Sequence, residues 1–302
     1  MIVNKYLKIY IDDLKYKQKG DHIMEYVTLN NGVKMPQLGY GVYQTPTEET
    51  ESCVLTAIKN GYRSIDTAQA YGNEEGVGQA IVKCGLPREE LFITTKIWIS
   101  NAGYEKAKAS IEESLKKLKT DYVDLLLIHQ PFGDYYGTYR AMEEAYKAGK
   151  ARAIGVSNFY PDRYIDIVHF AEVVPAVNQV ETHVFQQQKV AREYLAKHNT
   201  QIMSWGPFAE GKNDFFNTPV LKEIGAKYGK SVAQVALRFL LQNGIVVIPK
   251  STHEERMQEN FNVFDFVLTD EKMKQMEVLD TGKNLFFSHY SPETVEWFMS
   301  IV

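Results

Sequence analysis

The sequence predicts an α/β fold, a (β/α)8 or TIM barrel with an N-terminal β-hairpin that acts as a lid. Eight short apolar segments rich in β-branched residues alternate with helical segments, which is the pattern of a parallel barrel. The length of 302 residues suits one large α/β barrel or two average domains. Polar residues also recur where the predicted strands end, and barrels collect their functional groups at those ends.

The first residues of the chain differ in pattern from the remainder. Residues 1–23 show no clear period and are predicted to be an N-terminal extension, whereas residues 24–302 form a single barrel domain. The extension is an amphipathic leader, an affinity or targeting segment, or a translated upstream region. We favour the last interpretation, because the codons of Lys19-Gly20-Asp21 can resemble a bacterial ribosome-binding site just before Met24. Met24 is then the native start.

A β-hairpin is the first predicted element of the domain. Its strands cover residues 27–29 and 33–35, and Asn30-Asn31-Gly32 joins them. Asn-Gly is the preferred pair of a type I′ hairpin turn, because both residues tolerate positive φ. The hairpin is expected to cover one end of the barrel.

The barrel strands are predicted from short apolar segments that glycine, proline or polar residues bound. In chain order they span residues 38–42, 62–66, 91–97, 123–128, 151–156, 176–180, 201–204 and 245–248. Gly39 and Gly41 in the first strand allow close approach of neighbouring backbones. This strand does not continue as G-x-G-x-x-G, so it carries no dinucleotide fingerprint of a doubly wound sheet.

The helices are predicted from apolar residues at helical spacing and from residues that begin or end helices. Thr47 and Ser231 are expected N-caps, and Gly61 and Gly149 are expected to end two helices. In chain order the helices span residues 47–60, 73–84, 105–119, 139–150, 162–172, 187–199, 219–228 and 232–242, and one more comes after residue 252.

Composition excludes several function classes. The net charge of −4 gives no electrostatic case for binding nucleic acid or an anionic membrane. No apolar run reaches the roughly 18 residues that a membrane span needs. Cys53 and Cys84 are the two cysteines of the chain. They lie in helix-like segments and are expected to be reduced and partly buried, which fits a cytoplasmic location.

Candidate functional residues lie at the ends of the predicted strands or in the loops just after them. They are Asp66, Lys96, His129, Ser157, Asn158, Gln179, Trp205, Lys250 and Ser251. Tyr71 comes after Asp66 in the same loop, and an acid with a nearby phenol is an arrangement that a barrel enzyme can use. Each residue also has a structural alternative: Asp66 as a turn cap or salt-bridge partner, Tyr71 as a surface packing residue, and His129 as a core histidine.

Three long motifs carry a resemblance to a known family. They are G-x-R-x-I-D-T-A-x-x-Y-x-N-E at residues 61–74, G-K-x-R-x-I-G-V-S-N-F at 149–159, and I-P-K-S-T at 248–252 with R-x-x-E-N at 256–260. Over about residues 27–280 the chain resembles the aldo-keto reductase family, in particular the bacterial branch often labelled 2,5-diketo-gluconate reductase. The resemblance implies an oxidoreductase that reduces aldehydes and ketones of small substrates to alcohols.

The resemblance also implies a catalytic tetrad of Asp66, Tyr71, Lys96 and His129. Hydride delivery to a carbonyl carbon leaves negative charge on oxygen, which then needs a proton. Tyr71 would supply it, and the Lys96 ammonium would favour the phenolate and lower its pKa. Asp66 would hold Lys96 in place and charged, while His129 would donate a hydrogen bond that orients the carbonyl.

The implied cofactor is NADPH/NADP+, and no metal is expected. Ser157, Asn158 and Gln179 would bind the nicotinamide carboxamide, and Trp205 would stack on its ring where many relatives have tyrosine. Lys250, Ser251, Thr252 and Arg256 would bind the 2′-phosphate, and Asn260 the adenine. The complete expected set is Gly41, Val42, Tyr43, Asp66, Ser157, Asn158, Gln179, Trp205, Gly206, Pro207, Phe208, Lys250, Ser251, Thr252, Arg256, Glu259 and Asn260.

The expected partner is a small-molecule carbonyl substrate, and the protein is expected to be a monomer or weak dimer. Residues expected to bind the substrate are Tyr43, Tyr71, Trp98 and His129, with Phe132, Phe159 and Phe286 or Phe287 completing an aromatic wall. Two other function classes stay open. One is a non-enzymatic relative that binds NADPH as a sensor or channel accessory subunit. The other is a Schiff-base aldolase barrel with Lys96 as nucleophile.

Overall fold

A closed barrel of parallel strands forms the centre of the computed structural model, which describes residues 24–302. The strands succeed one another around the barrel in chain order, and a parallel bridge between Leu38 and Val247 closes it. The strands are β3 (Tyr40–Gly41), β4 (Ser64–Asp66), β5 (Phe92–Ile97), β6 (Leu125–Ile128), β7 (Ile154–Ser157), β8 (Val177–Glu181), β9 (Gln201–Trp205) and β10 (Val246–Val247). The predicted (β/α)8 barrel is confirmed. The predicted extension, residues 1–23, lies outside the described residues.

Helices surround this barrel. They are α1 (Thr47–Lys59), α2 (Glu74–Lys83), α3 (Tyr104–Leu118), α4 (Tyr135–Lys147), α5 (Pro161–Phe170), α6 (Lys189–Ala196), α7 (Pro219–Tyr228), α8 (Val232–Gln242), α9 (Glu254–Phe261), α10 (Asp270–Glu277) and α11 (Pro292–Ser300). The Ser231 cap is confirmed, because Ser231 and Gln234 form a reciprocal capping box. The Thr47 cap is wrong: Thr47 is already helical, and Pro46 precedes it without a side-chain bond. Among residues 24–302, no helix combines the length and apolarity that crossing a bilayer requires.

The hairpin closes the amino-terminal end of the barrel, as predicted. Strands β1 (Tyr26–Thr28) and β2 (Lys34–Pro36) pair antiparallel. The buried side chains of Leu29 and Met35 join an apolar cluster with residues at the starts of barrel strands. These are Phe92, Leu125 and Val177. The hairpin is therefore a floor, and the carboxyl ends of the strands are left as the mouth.

The predicted type I′ turn is wrong. Of Asn30, Asn31 and Gly32, the residues of the predicted turn, Gly32 alone has positive φ, at 86°. The Gly32 amide donates to the carbonyl of Leu29 over 2.9 Å, which fits a three-residue loop with glycine in the left-handed position. Both asparagine side chains donate instead to the barrel backbone, Asn30 to Pro175 O and Asn31 to Arg152 O. These bonds anchor the turn to the barrel.

Alternation along the strands explains how polar groups enter the barrel. On β6, Leu125 and Leu127 face the interior cluster, whereas Leu126 and Ile128 belong to the layer beneath the helices. Lys96 on β5 pairs in register with Leu127. Residues in register share a face of the sheet. The Lys96 side chain is therefore directed into the barrel, one residue before β5 ends.

Candidate active site

A buried ion pair lies at the carboxyl ends of two neighbouring strands. The Lys96 ammonium donates to Asp66 Oδ1 over 2.5 Å, to the carbonyl of Thr67 over 2.9 Å and to the Tyr71 hydroxyl over 3.2 Å. Lys96 is 0% exposed and Asp66 is 1% exposed. All three directions of the ammonium are thus occupied, and two of its partners, Asp66 and Tyr71, belong to residues that line the cavity.

The loop after β4 is held in place by hydrogen bonds from several elements. Asn73 accepts from the Thr67 hydroxyl over 2.8 Å and donates to Val42 O over 3.0 Å. Gln69 accepts from the Trp98 amide over 2.9 Å. Tyr71 ends the single 3₁₀ turn that begins at Gln69. The sequence motif around Tyr71 is therefore a positioning device, because its polar residues fix the loop that carries the phenol.

Burial raises the pKa of Tyr71. The Lys96 ammonium lowers it in part, and the Asp66 carboxylate raises it further. Burial by itself would lower the pKa of Lys96, but Asp66 and Tyr71 raise that pKa above its ordinary value. The predicted lowering of the Tyr71 pKa by Lys96 is confirmed in sign, but burial has the larger effect and the pKa is raised overall. At neutral pH the phenol carries its proton and the lysine its charge.

His129 completes the group as a neutral imidazole. Burial lowers its pKa well below the ordinary value, and the Lys96 ammonium and the neighbouring His289 act in the same direction. Its ring lies edge-on to Tyr71 and Trp98, with centroid distances of 5.5 and 5.0 Å. Nδ1 is buried and has no hydrogen-bond partner among residues 24–302. A neutral imidazole has one N–H to donate, so His129 can hydrogen-bond a carbonyl oxygen without carrying charge.

Three further strands contribute a connected set of polar side chains. The Ser157 hydroxyl donates to Gln179 O over 2.9 Å, and the Trp205 indole N–H donates to Asn158 Oδ1 over 2.9 Å. Asn158 Nδ2 donates to His129 O over 3.1 Å. Asn158 has φ of 64°, a left-handed conformation that asparagine tolerates better than most residues. The bonds fix the amides before any ligand arrives.

One cavity of about 490 Å³ at the barrel mouth is lined by these groups except Lys96, which is buried behind Asp66 and Tyr71. All four predicted substrate-binding residues line it. The predicted cofactor-binding residues that line it are Gly41, Tyr43, Asp66, Ser157, Asn158, Gln179, Trp205, Gly206, Pro207, Phe208 and Lys250. Predicted cofactor residues outside its lining are Val42, Ser251, Thr252, Arg256, Glu259 and Asn260. Gly41 is required here, since a side chain would begin 2.9 Å from the carbonyl of Ile248.

Beyond Lys250, the cavity gives way to an exposed surface with two cations. Lys250 and Arg256 are exposed, and neither has an ion-pair partner among residues 24–302. Helix α9 begins at Glu254 with His253 as its N-cap, so the helix predicted after residue 252 is confirmed. Ser251 Oγ accepts from the His253 amide in the preceding loop. Ser251 and Thr252 therefore lie before the helix.

Glu259 already has a role in the fold, because its carboxylate accepts the hydroxyl of Ser231. That bond ties α9 to the start of α8. Arg256, one turn earlier in α9, forms no ion pair with it in the described residues. Glu259 therefore serves helix packing here, whatever further contact it makes with a cofactor.

The C-terminal segment supplies cavity walls that the sequence did not predict. Residues missing from the predicted site that line the cavity are Gln44, Ala70, Gln130, Glu210, Ile248, Trp297, Phe298 and Ile301. Phe286 and Phe287 line it as expected, and the Phe287 ring is stacked on Trp205 with centroids 6.0 Å apart. Ser291 before Pro292 is a helix-start signal that could have revealed α11. Its docking site could not be read from local sequence.

Two predicted aromatic wall residues lie outside the cavity. Phe159 is 0% exposed and packs edge-on against Tyr135. Phe132 is also buried, beneath Phe298 and beside His289. The expectation that Phe132 and Phe159 line the pocket is wrong, because the C-terminal helix covers the first and α4 covers the second.

Similar proteins carry the same fold, and one of them was solved with NADP. Residues 31–281 match the profile described as "Aldo/keto reductase family". A glyoxal reductase of Bacillus subtilis is 49% identical over 262 residues, covering 86% of this chain and 94% of the relative. An aldo-keto reductase of Brucella melitensis is 43% identical, with a TM-score of 0.82 over 85% of this chain and all of that one. A Bombyx mori relative solved with NADP is 33% identical, with a TM-score of 0.83 over 87% and 95%.

The sequence identity extends over most of this chain and of its relatives, and the barrel and the three motifs agree with it. The expected membership of the aldo/keto reductase family is confirmed, and the NADP complex of the Bombyx relative agrees with the expected cofactor. The chain is an oxidoreductase that belongs to the aldo/keto reductase family.

Proposed function

We propose that this protein reduces aldehydes and ketones of small substrates to alcohols with NADPH, and that Tyr71 is the proton donor. The observation that carries the proposal is the Lys96 ammonium, which contacts both the Asp66 carboxylate and the Tyr71 hydroxyl at the barrel mouth. A salt bridge with a purely structural role would not need a third contact to a phenol that lines the cavity. The glyoxal reductase relative supports small, reactive carbonyl compounds as the substrate class.

The residues present fit NADPH. Gln179 and Asn158 retain acceptor capacity on their amide oxygens, which suits a carboxamide N–H donor. Lys250 and Arg256 are cations without ion-pair partners in the described chain, which suits a phosphate. Bound NADPH supplies the hydride. Ser157, Asn158 and Gln179 would hold its nicotinamide end in the cavity that Tyr71 and His129 also line.

Proton delivery is explained by the protonation states of the site. Tyr71 is protonated at neutral pH because burial keeps its pKa high. As negative charge develops on the carbonyl oxygen, the Tyr71 hydroxyl gives that oxygen its proton, and the adjacent Lys96 ammonium stabilises the phenolate. Asp66 keeps Lys96 charged and in position. His129, as a neutral donor, holds the carbonyl oxygen in place.

The Schiff-base alternative is disfavoured by the same geometry. A nucleophilic lysine must be neutral, whereas Lys96 has three acceptors and a raised pKa. It is also 0% exposed. A substrate-dependent borohydride adduct on Lys96 would reinstate this alternative.

The deciding experiment is an NADPH-oxidation screen of the purified protein with glyoxal, aryl aldehydes, aliphatic aldehydes and α-keto esters. We expect turnover with several of them and an alcohol product in each case. NADPH binding measured by fluorescence serves as the control. Tight NADPH binding without turnover on any carbonyl would favour the non-enzymatic alternative instead.

A further inference from the structure

Gln179 lies between the predicted cofactor ligands and the proton-donor group. It sits in the middle of β8, is 2% exposed and lines the cavity. Its Nε2 donates to Asp66 Oδ2 over 2.8 Å and approaches Met203 Sδ at 3.2 Å. Because a carboxylate only accepts hydrogen bonds, the nitrogen of the amide must face Asp66. The amide orientation is therefore fixed by chemistry.

This bond completes the environment of the Asp66 carboxylate. One oxygen accepts from Lys96 and the other accepts from Gln179. Both amide hydrogens of Gln179 are occupied, so its Oε1 is the atom left to meet a ligand. That oxygen has no hydrogen-bond partner in the described part of the chain. A single side chain thus contacts the cavity through oxygen and the catalytic carboxylate through nitrogen.

We propose that Gln179 is a positioning residue of the proton-donor group: its amide N–H holds Asp66 in the orientation that grips Lys96, while its amide oxygen accepts from the cofactor. The inference rests on the proposed reductase function. It goes beyond carboxamide binding, because Gln179 then acts on Tyr71 through Asp66 and Lys96. If Gln179 served only to bind the cofactor, its amide oxygen would suffice, and its hydrogen bond to Asp66 would have no function.

The substitution Gln179→Glu separates the two roles. Glutamate keeps an acceptor oxygen for the cofactor at every pH, but it can donate to Asp66 only while protonated. Two carboxylates that share one site cannot both ionise without a large cost, so the pair retains a proton to unusually high pH. Lys96 stays charged, Tyr71 stays protonated and His129 stays neutral across the neutral range. The introduced acid is then the group of this site that titrates.

The first measurement uses the protein without cofactor. The shared proton means that the folded state holds it more tightly than the unfolded state, so stability is present at low pH and is lost as pH rises. We expect the midpoint of thermal unfolding of Gln179→Glu, relative to wild type, to fall by about 5 °C between about pH 5 and about pH 8. The double variant Asp66→Asn/Gln179→Glu exchanges donor and acceptor, so the fall should shrink to the part that burial of the glutamate alone causes. A fall that is equally large in the double variant would show that Gln179 does not act on Asp66.

The second measurement is carbonyl reduction as a function of pH at saturating NADPH. In Gln179→Glu, kcat should decline by about 10-fold or more as pH rises through the titration of the pair, whereas wild type shows no such step. Ser157→Ala is the matched control, because Ser157 is also a predicted carboxamide ligand but does not contact Asp66. It should weaken NADPH binding without a new step. If Gln179→Glu binds NADPH less tightly but retains the wild-type pH profile, the positioning role is overturned.

The two measurements keep this inference separate from the proposed function. Thermal unfolding needs neither NADPH nor turnover, so it tests the bond to Asp66 even if wild type reduces no carbonyl. An absence of turnover in wild type contradicts the reductase proposal. A normal pH profile in an active Gln179→Glu variant contradicts the positioning role alone.

Discussion

The Tyr71 hydroxyl is the group that donates the proton in the proposed reaction. Tyr71→Phe removes it and leaves Lys96 bonded to Asp66 and Thr67 O. We expect carbonyl reduction to fall by at least about 10²–10⁴-fold, the usual contribution of general acid catalysis. NADPH affinity should stay close to wild type, and titration of cofactor fluorescence measures it. A variant that reduces its substrate within a few-fold of wild type would remove Tyr71 from the mechanism.

Single residues also show what the sequence can and cannot predict. Asp66, Lys96 and His129 meet because β4, β5 and β6 are neighbours, and neighbouring order is a consequence of the barrel pattern. The net direction of the Tyr71 pKa was not predictable, because it depends on how completely the folded chain buries the phenol. The bond from Gln179 to Asp66 spans 113 residues of sequence and has no local signal. Its residue types were predictable, but their mutual bond was not.

At the scale of elements, Arg256 on α9 and Lys250 just before it are the cations proposed to bind the cofactor's 2′-phosphate. Arg256→Ala removes an exposed guanidinium that has no ion-pair partner in residues 24–302. A charge-assisted hydrogen bond contributes roughly 1.5–3 kcal/mol, so NADPH binding should weaken by about 10- to 150-fold. NADH, which lacks this phosphate, should bind almost as before. Dissociation constants of both cofactors decide the matter, and equal losses would contradict phosphate recognition by Arg256.

The C-terminal segment is attached through His289. Its imidazole is hydrogen-bonded to Gln130 over 2.6 Å and stacks with Phe132 and Phe298. Burial lowers the pKa of His289 to about 4. The unfolded state therefore binds a proton first, and stability is lost as pH falls from about 6.5 to about 4. The shift corresponds to about 3 kcal/mol at its full extent.

The variant His289→Gln tests this attachment, because glutamine can hydrogen-bond Gln130 but does not titrate. We expect its unfolding free energy to depend less on pH than that of wild type between about pH 6.5 and about pH 4. Chemical denaturation at several pH values measures the difference. His129 contributes in the same direction but is present in both proteins, so it cancels. Identical pH dependence in the two proteins would show that His289 is not buried in neutral form.

Element prediction failed where contacts were distant in sequence. The barrel strands were recognisable because strands buried on both faces are continuously apolar. Helices α10 and α11 were not predicted, although Thr269 and Ser291 cap them. The tail's position is set by remote contacts, such as the Leu285 amide with Glu181 Oε1 over 2.6 Å. No local pattern around residue 285 encodes that partner.

At the scale of the whole molecule, the apolar cluster under the hairpin closes one end of the barrel, and the cavity with the proposed active site lies at the other end. Met35 is 0% exposed in the floor cluster. Met35→Ala should lower the free energy of unfolding by about 2–5 kcal/mol through lost burial and a cavity. Because the floor lies at the opposite end from Tyr71, kcat at a permissive temperature should be unchanged. Denaturant unfolding and steady-state kinetics measure the two effects.

The matched control for this division is Val267→Ala. Val267 is 55% exposed, and such surface substitutions usually change stability by less than about 0.5 kcal/mol. A Met35→Ala protein with a specifically reduced kcat, at a temperature where it stays folded, would mean that the floor and the mouth are coupled through the barrel.

The C-terminal segment, which supplies walls of the cavity, has a practical consequence for work with the protein. Ile301 lines the cavity, and Val302 beside it is 54% exposed. An affinity tag joined directly after residue 302 therefore begins one residue from the lining of the cavity, where flexible histidines or a linker can compete with a ligand for the cavity or obstruct its entrance. A tag at that position can change which substrates the enzyme accepts, so a substrate screen should use protein from which the tag has been removed.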